Sequence, residues 1–354
     1  MNDEFYINFD QPEENFNEEN RESSAQTQNF NSFFGMASYE EYLEQEKFKK
    51  NSRAVGLCFL VSYFVILLFN LALTVFVSIF RGATFTDYMS DPAVNQVIGI
   101  IFSIFVYIPP FVLVAKGFGF RISDIALFKK PEKGNRLTLF LIGISFCSFA
   151  NIAVNYASQI FEGMGIEYNV DFGENPKGIF GFLLTMIATM AVPALIEEFA
   201  VRGIALGILR KFGDTFAILT SSLLFALMHR NFQQIPFAFL VGLVLAFITI
   251  KTDSVWIAVA VHAFNNGTAV LLEFITENMS DMAASLVFSL FFMVSLILGI
   301  VALLFSNKSQ ELFKIEKSGT IMTEGKKIKK FLLSFPVILF TIVCFIEAVG
   351  YFFI

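Results

Sequence analysis

Of 354 residues, 55% are hydrophobic and only 16% are charged, with a mean hydropathy of +0.65, whereas soluble domains carry about 25% charged residues. The charges cluster between long uncharged runs, which excludes an ordinary soluble enzyme and predicts a chain that crosses a bilayer repeatedly. The net charge of −6 divides into −8 for residues 1–50 and +2 for the remainder, and no basic patch marks a nucleic-acid partner.

Residues 1–50 hold only four bases, Arg21, Lys47, Lys49 and Lys50, among many acids, and are rich in Asn, Gln and Ser. They read as an acidic, disordered tail rather than a second domain. No apolar stretch follows a basic start in the first thirty residues, so no signal peptide is expected there. Nine apolar segments follow, at 54–80, 95–115, 137–161, 178–209, 215–229, 232–250, 254–273, 283–305 and 331–353. Each approaches the roughly 20 residues that a membrane-spanning helix needs, the fourth being long and the fifth short. The predicted fold is all-α, a polytopic bundle of membrane helices. Cys58, Cys147 and Cys344 lie far apart inside apolar segments and read as packing residues. The chain shows no internal repeat, which argues against the inverted-repeat transporters.

Loop charges test this division, because Lys and Arg favour the cytoplasmic side. Lys47, Lys49, Lys50 and Arg53 precede the first segment. The loop between the second and third holds Lys116, Arg121, Lys129, Lys130, Lys133 and Arg136. Arg210 and Lys211, then Lys251, mark the next two loops on that side, and seven lysines between Lys308 and Lys330 precede the ninth segment. The opposite loops are acidic, with Glu162, Glu167, Asp171 and Glu174 in one and Glu273, Glu277 and Asp281 in another. The alternation predicts a cytoplasmic N-terminus and an external C-terminus. With no targeting signal, a bacterial plasma membrane is expected.

Ionisable side chains inside membrane segments mark function by default. The fourth segment contains Ile196-Glu197-Glu198-Phe199-Ala200-Val201-Arg202, the fifth ends in Phe225-Ala226-Leu227-Met228-His229, and the seventh contains His262-Ala263-Phe264-Asn265-Asn266. Both histidines of the protein are among them. Glu198 and Arg202, four apart, share a helix face and are expected to pair. Glu197 lies about 100° round the helix and is left for another partner. His262 and Asn266 project together, with Asn265 the adjacent alternative. Pro193 removes a backbone bond in the turn before Glu197 and is expected to kink the helix. At about 1.5 Å per residue from the cytoplasmic end, Glu197 and Asn266 lie at roughly 18 Å, His229 at roughly 21 Å and His262 at roughly 12 Å, as one shared site requires. A poorly solvated carboxylate holds a proton more tightly than one in water, which suits a general base. Imidazole can hold or help deprotonate the same water, and a His with an Asn can supply donors to an oxyanion. Packing roles compete: His229 as an interfacial histidine, His262 and Asn266 as an interhelical pair. Glu347 reads as interfacial, Asn151 and Asn155 as helix packing.

The motifs EExxxR, FxxxH and HxxxN, in this order on membrane helices, resemble the CPBP or Abi family of intramembrane endopeptidases, which includes the eukaryotic endopeptidase of prenylated CAAX proteins. The resemblance covers 178–273. It implies that Glu197 is the base toward water, assisted by His229, that His262 and Asn266 form the oxyanion site, and that Glu198 and Arg202 organise the helix. It also implies an eight-helix protease core, placed at 51–306, with the basic loop and final helix of 307–354 as an addition. No cofactor is implied; two His and a Glu are plausible zinc ligands, but HExxH is absent, as are GxSG and GxGD. The expected partners are the bilayer and a membrane-associated peptide or protein substrate. The alternative is a non-catalytic scaffold or bacteriocin-immunity protein that keeps the fold.

Overall fold

The structure, a computed structural model, describes residues 35–80, 90–131, 135–165, 174–306, 312–315 and 319–351, and among these there is no strand. Two compact units are distinguished, Met1–Lys47 and Phe48–Ile354. Residues 35–50, read from sequence as tail, are helical; the rest of the tail, 1–34, lies outside the described residues.

The helices are α1 (Gly35–Phe80), α2 (Pro92–Gly117), α3 (Arg136–Gly163), α4 (Gly178–Phe212), α5 (Asp214–Leu227), α6 (Ile235–Thr252), α7 (Trp256–Thr276), α8 (Asp281–Leu304), α9 (Glu324–Leu332) and α10 (Phe335–Gly350). Seven of them, α1 to α4 and α6 to α8, are long and apolar enough to cross a membrane. Their outward faces carry exposed Leu68, Leu71, Phe180 and Leu290, as lipid contact demands. The chain is an integral membrane protein.

Two expected segments take a modified form. The fifth is α5, whose 14 residues rise only about 21 Å. The ninth is preceded by α9, which meets α10 at 66°. The break has a local cause: Pro336 lacks an N–H and is tolerated only in the first turn of a new helix. On α9 the fully buried Lys327 donates to the Phe212 carbonyl at 2.5 Å and to Thr320 Oγ1 at 3.1 Å, which seats the helix against the end of α4.

Helix ends follow their caps. Asp91 accepts from the N–H groups of Ala93 and Val94 at 2.9 and 3.1 Å, with Pro92 in the first turn of α2. Ser280 and Thr323 cap α8 and α9 in the same way. At the basic end, Asp253 sits in the left-handed region at φ 47° between α6 and α7 and binds Arg210 Nη1 at 2.6 Å and Lys129. Burial raises its pKa, but the hydrogen bonds from Lys129 and Arg210 outweigh this and hold it below the usual carboxylate value.

The main core gathers Phe59 of α1, Phe111 of α2, Ile204 and Leu206 of α4, and Phe216 and Phe225 of α5, all essentially buried. A second core joins Leu139 and Cys147 of α3 to Leu245 of α6 and Val261 of α7. The three cysteines are buried and free. Gly207 of α4 lies so close to the single helical turn Ile122–Ile125 that a Cβ there would overlap the carbonyl oxygen of Ile125. Gly207→Ala is therefore expected to destabilise the protein by about 1–3 kcal/mol, the usual cost of overpacking. Thermal unfolding in detergent measures it.

Candidate active site

Helix α4 is not uniform. Standard helix at Gly178–Thr185 gives way to a π turn at Met186–Ala191, returns at Val192–Glu197 and widens again at Glu198–Leu206. Pro193 explains the first π turn: it has no N–H for the carbonyl of Thr189, and its ring crowds that oxygen. A π turn absorbs such a defect. The freed Thr189 carbonyl accepts a hydrogen bond from Asn266 Nδ2 of α7 at 3.1 Å. Where the sequence leads one to expect a kink, the helix makes a π turn and gains a bond to α7.

At the second junction the adjacent glutamates diverge. Glu198 is fully buried, and its Oε1 accepts from Arg202 Nη1 at 2.8 Å and from His262 Nδ1 at 2.9 Å. Arg202, equally buried, donates through Nη2 to the Gly242 carbonyl of α6 at 3.2 Å and lies 4.2 Å over the Phe225 ring. The Glu197 side chain keeps 16% of its surface exposed, and its Oε2 lies 4.0 Å from His262 Nε2. Since His262 gives its Nδ1–H to Glu198, Nε2 is the nitrogen presented to Glu197.

His229 follows the end of α5. Its Nδ1–H donates to the Phe225 carbonyl at 2.9 Å, so Nε2 carries the lone pair. Phe225 meets both histidine rings edge to face, His229 at 5.1 Å and His262 at 6.0 Å. The turn that ends α5 is specified locally. Arg230 adopts φ 57°, and Asn231 donates to the His229 carbonyl at 2.8 Å while accepting from the Gln234 N–H at 2.8 Å.

Glu197, His229, His262 and Asn266 line one cavity of about 1180 Å³, with Asn151 and Asn265 beside them. Glu198 and Arg202 form a pair outside that lining. Asn265 accepts from Asn151 Nδ2 at 3.3 Å and donates to Asn266 Oδ1 at 3.1 Å, so both asparagines of the pair belong to the cavity wall. Sequence reasoning missed the backbone acceptors Thr189 and Gly242, and it took Asn151 for packing alone. Glu347, expected at the interface, binds Arg230 Nη1 at 2.9 Å, next to His229. Phe345 of α10 packs edge to face on Phe232 at 5.7 Å, so α10 fastens the same turn. Among the described residues no group of three or more His, Cys, Asp or Glu is arranged to hold a metal ion.

No curated protein and no solved structure matches the chain. A family model does: Rce1-like, described as type II CAAX prenyl endopeptidase Rce1-like, matches residues 179–268. That stretch contains the EExxxR, FxxxH and HxxxN motifs, and the match agrees with the resemblance of those motifs to the CPBP/CAAX proteases.

Proposed function

We propose that the protein is an intramembrane endopeptidase in which Glu197 and His229 activate water and His262 and Asn266 form an oxyanion site. One observation carries the reading: these four side chains, from separate parts of the chain, line a single cavity, while the neighbouring carboxylate of Glu198 is held away by Arg202. Glu197 takes a proton from water as the oxygen adds to the scissile carbonyl carbon. His229 Nε2 accepts a hydrogen bond from the same water. The carbonyl oxygen becomes an oxyanion, and the proton held by Glu197 passes to the leaving nitrogen as the C–N bond breaks. Asn266 keeps one amide hydrogen for the oxyanion, the other being committed to Thr189. His262 serves as the second donor when Nε2 is protonated; Glu197, Glu198, Arg202 and His262 then sum to zero charge, which suits a low-dielectric site.

The substrate is a membrane-associated peptide or protein, the setting a bacterial plasma membrane with the basic loops and the N-terminus in the cytoplasm. No metal or other cofactor is needed for this chemistry. The test is quantitative profiling of N- and C-terminal peptides from host membranes, comparing wild type with Glu197→Gln at matched expression. Termini that depend on Glu197 support hydrolysis. Identical termini, with a phenotype that still follows the protein's presence, favour a scaffold that keeps the fold.

The pair behind His229 yields a further expectation. Glu347→Gln should lower cleavage about tenfold by loosening the turn that carries His229, since small misplacements are costly in catalysis. The charge swap Arg230→Glu with Glu347→Arg should recover most of the loss. Rates on a substrate found by the profiling measure both.

A further inference from the structure

The cavity extends well beyond the four side chains of the proposed chemistry. On α3 its wall carries Asn151, Asn155 and Gln159, spaced by four residues and so on one face of the helix. These run from the level of Asn265 toward the acidic end of the bundle, where Glu162, Glu273 and Asp281 lie at the ends of α3, α7 and α8. The facing α8 contributes Ser285, Phe288, Ser289 and Phe292. Helices α5 and α6 rise only about 21 and 27 Å, against about 42 Å for α3 and 36 Å for α8, so α3 and α8 continue past the turn that carries His229.

The amides on α3 are not used up by one another. Asn151 spends its amide hydrogens on the Cys147 carbonyl and Asn265, which leaves its oxygen as an acceptor. Asn155 accepts from Gln159 Nε2 at 2.8 Å and retains its own N–H donors, while Gln159 retains its carbonyl. Along the helix the wall therefore offers acceptor, donor, acceptor. This is the alternation that the edge of a β-sheet offers an extended chain. An extended peptide inside a membrane must have its N–H and C=O groups satisfied, since unpaired ones cost several kcal/mol each. Among the described residues no strand exists to do so.

We infer that Asn151, Asn155 and Gln159 form a track that binds the main chain of an extended substrate segment approaching from the acidic end, with the α8 phenylalanines receiving its apolar side chains. The inference rests on the endopeptidase reading and names its substrate class: an unwound, apolar peptide segment recognised chiefly through its backbone. From Asn151 to Gln159 the helix rises about 12 Å, the span of three to four extended residues. Selectivity at those positions is accordingly for apolar character rather than for particular side chains.

The experiment compares Glu197-dependent termini in host membranes across three further variants at matched expression. Asn155→Leu/Gln159→Leu is expected to reduce those termini about tenfold, the loss of two hydrogen bonds of ordinary strength. Asn155→Gln/Gln159→Asn, which keeps the carboxamides, is expected to restore them to within about threefold of wild type. If the leucine pair fails to accumulate, Gln159→Leu alone carries the same expectation at about threefold. Termini unchanged by leucine, or lost equally with the exchanged carboxamides, overturn the track while Glu197 dependence keeps the endopeptidase standing. Absence of any Glu197-dependent terminus removes the endopeptidase reading and the track with it.

Discussion

Replacement of Glu197 by glutamine is expected to lower peptide-bond hydrolysis by about 10²- to 10⁴-fold, the range contributed by a positioned general base. Glutamine has nearly the same shape, and Glu197 is partly exposed to the cavity, with its Oε2 4.0 Å from His262 Nε2. No buried ion pair is broken, so thermal stability is expected to stay close to that of wild type. Glu197→Asp provides a graded control. It keeps the charge but withdraws the carboxylate by one methylene, about 1.5 Å, and a displacement of that size is expected to cost about 10²-fold. Turnover of a purified substrate, measured beside unfolding temperature, separates lost chemistry from lost fold. A glutamine variant that cleaves at the wild-type rate would show that the base lies elsewhere.

Much of this arrangement is legible in the sequence, for identifiable reasons. Long uncharged runs and one-sided loop charge mark the spans, because lipid leaves a helix no other way to satisfy its backbone. The helical stretch 35–50 is hidden, since a charged run such as Tyr39-Glu40-Glu41-Tyr42-Leu43-Glu44 has helix-forming residues but no apolar length. The 66° turn into α10 is hidden for another reason: hydropathy reports length and not direction, and only Pro336 marks the break. In the site, intramembrane Glu and His stand out by type, and four-residue spacing identifies Arg202 as a partner of Glu198. Spacing within one helix says nothing of the register between helices. The second partner of Glu198, His262, and the salt bridge from Arg230 to Glu347 therefore required three dimensions. Thr189 and Gly242 contribute backbone carbonyls, which no side-chain pattern reveals.

Removing Arg202 alone is expected to harm the fold more than removing the whole pair. In Arg202→Met the Glu198 carboxylate stays at zero exposure, with Oε2 already lacking a partner among the described residues and Oε1 bound only by His262. Stranding one member of a buried ion pair costs about 3–5 kcal/mol, whereas replacing both members by neutral groups of similar size is often close to neutral. Glu198→Gln/Arg202→Met is thus expected to regain at least about 2 kcal/mol over Arg202→Met, and a double-mutant cycle on thermal or denaturant unfolding reads the coupling. Cleavage should not recover in parallel. The carboxamide oxygen introduced by Glu198→Gln can still accept from His262 Nδ1, but as a neutral acceptor it holds the ring that carries the proposed oxyanion donor more weakly than a carboxylate does. Stability that returns without activity would assign the Glu198–Arg202 pair to the electrostatics of His262. A double variant as unstable as Arg202→Met would place the loss instead in what the guanidinium does by itself, the bond to Gly242 and the contact over Phe225.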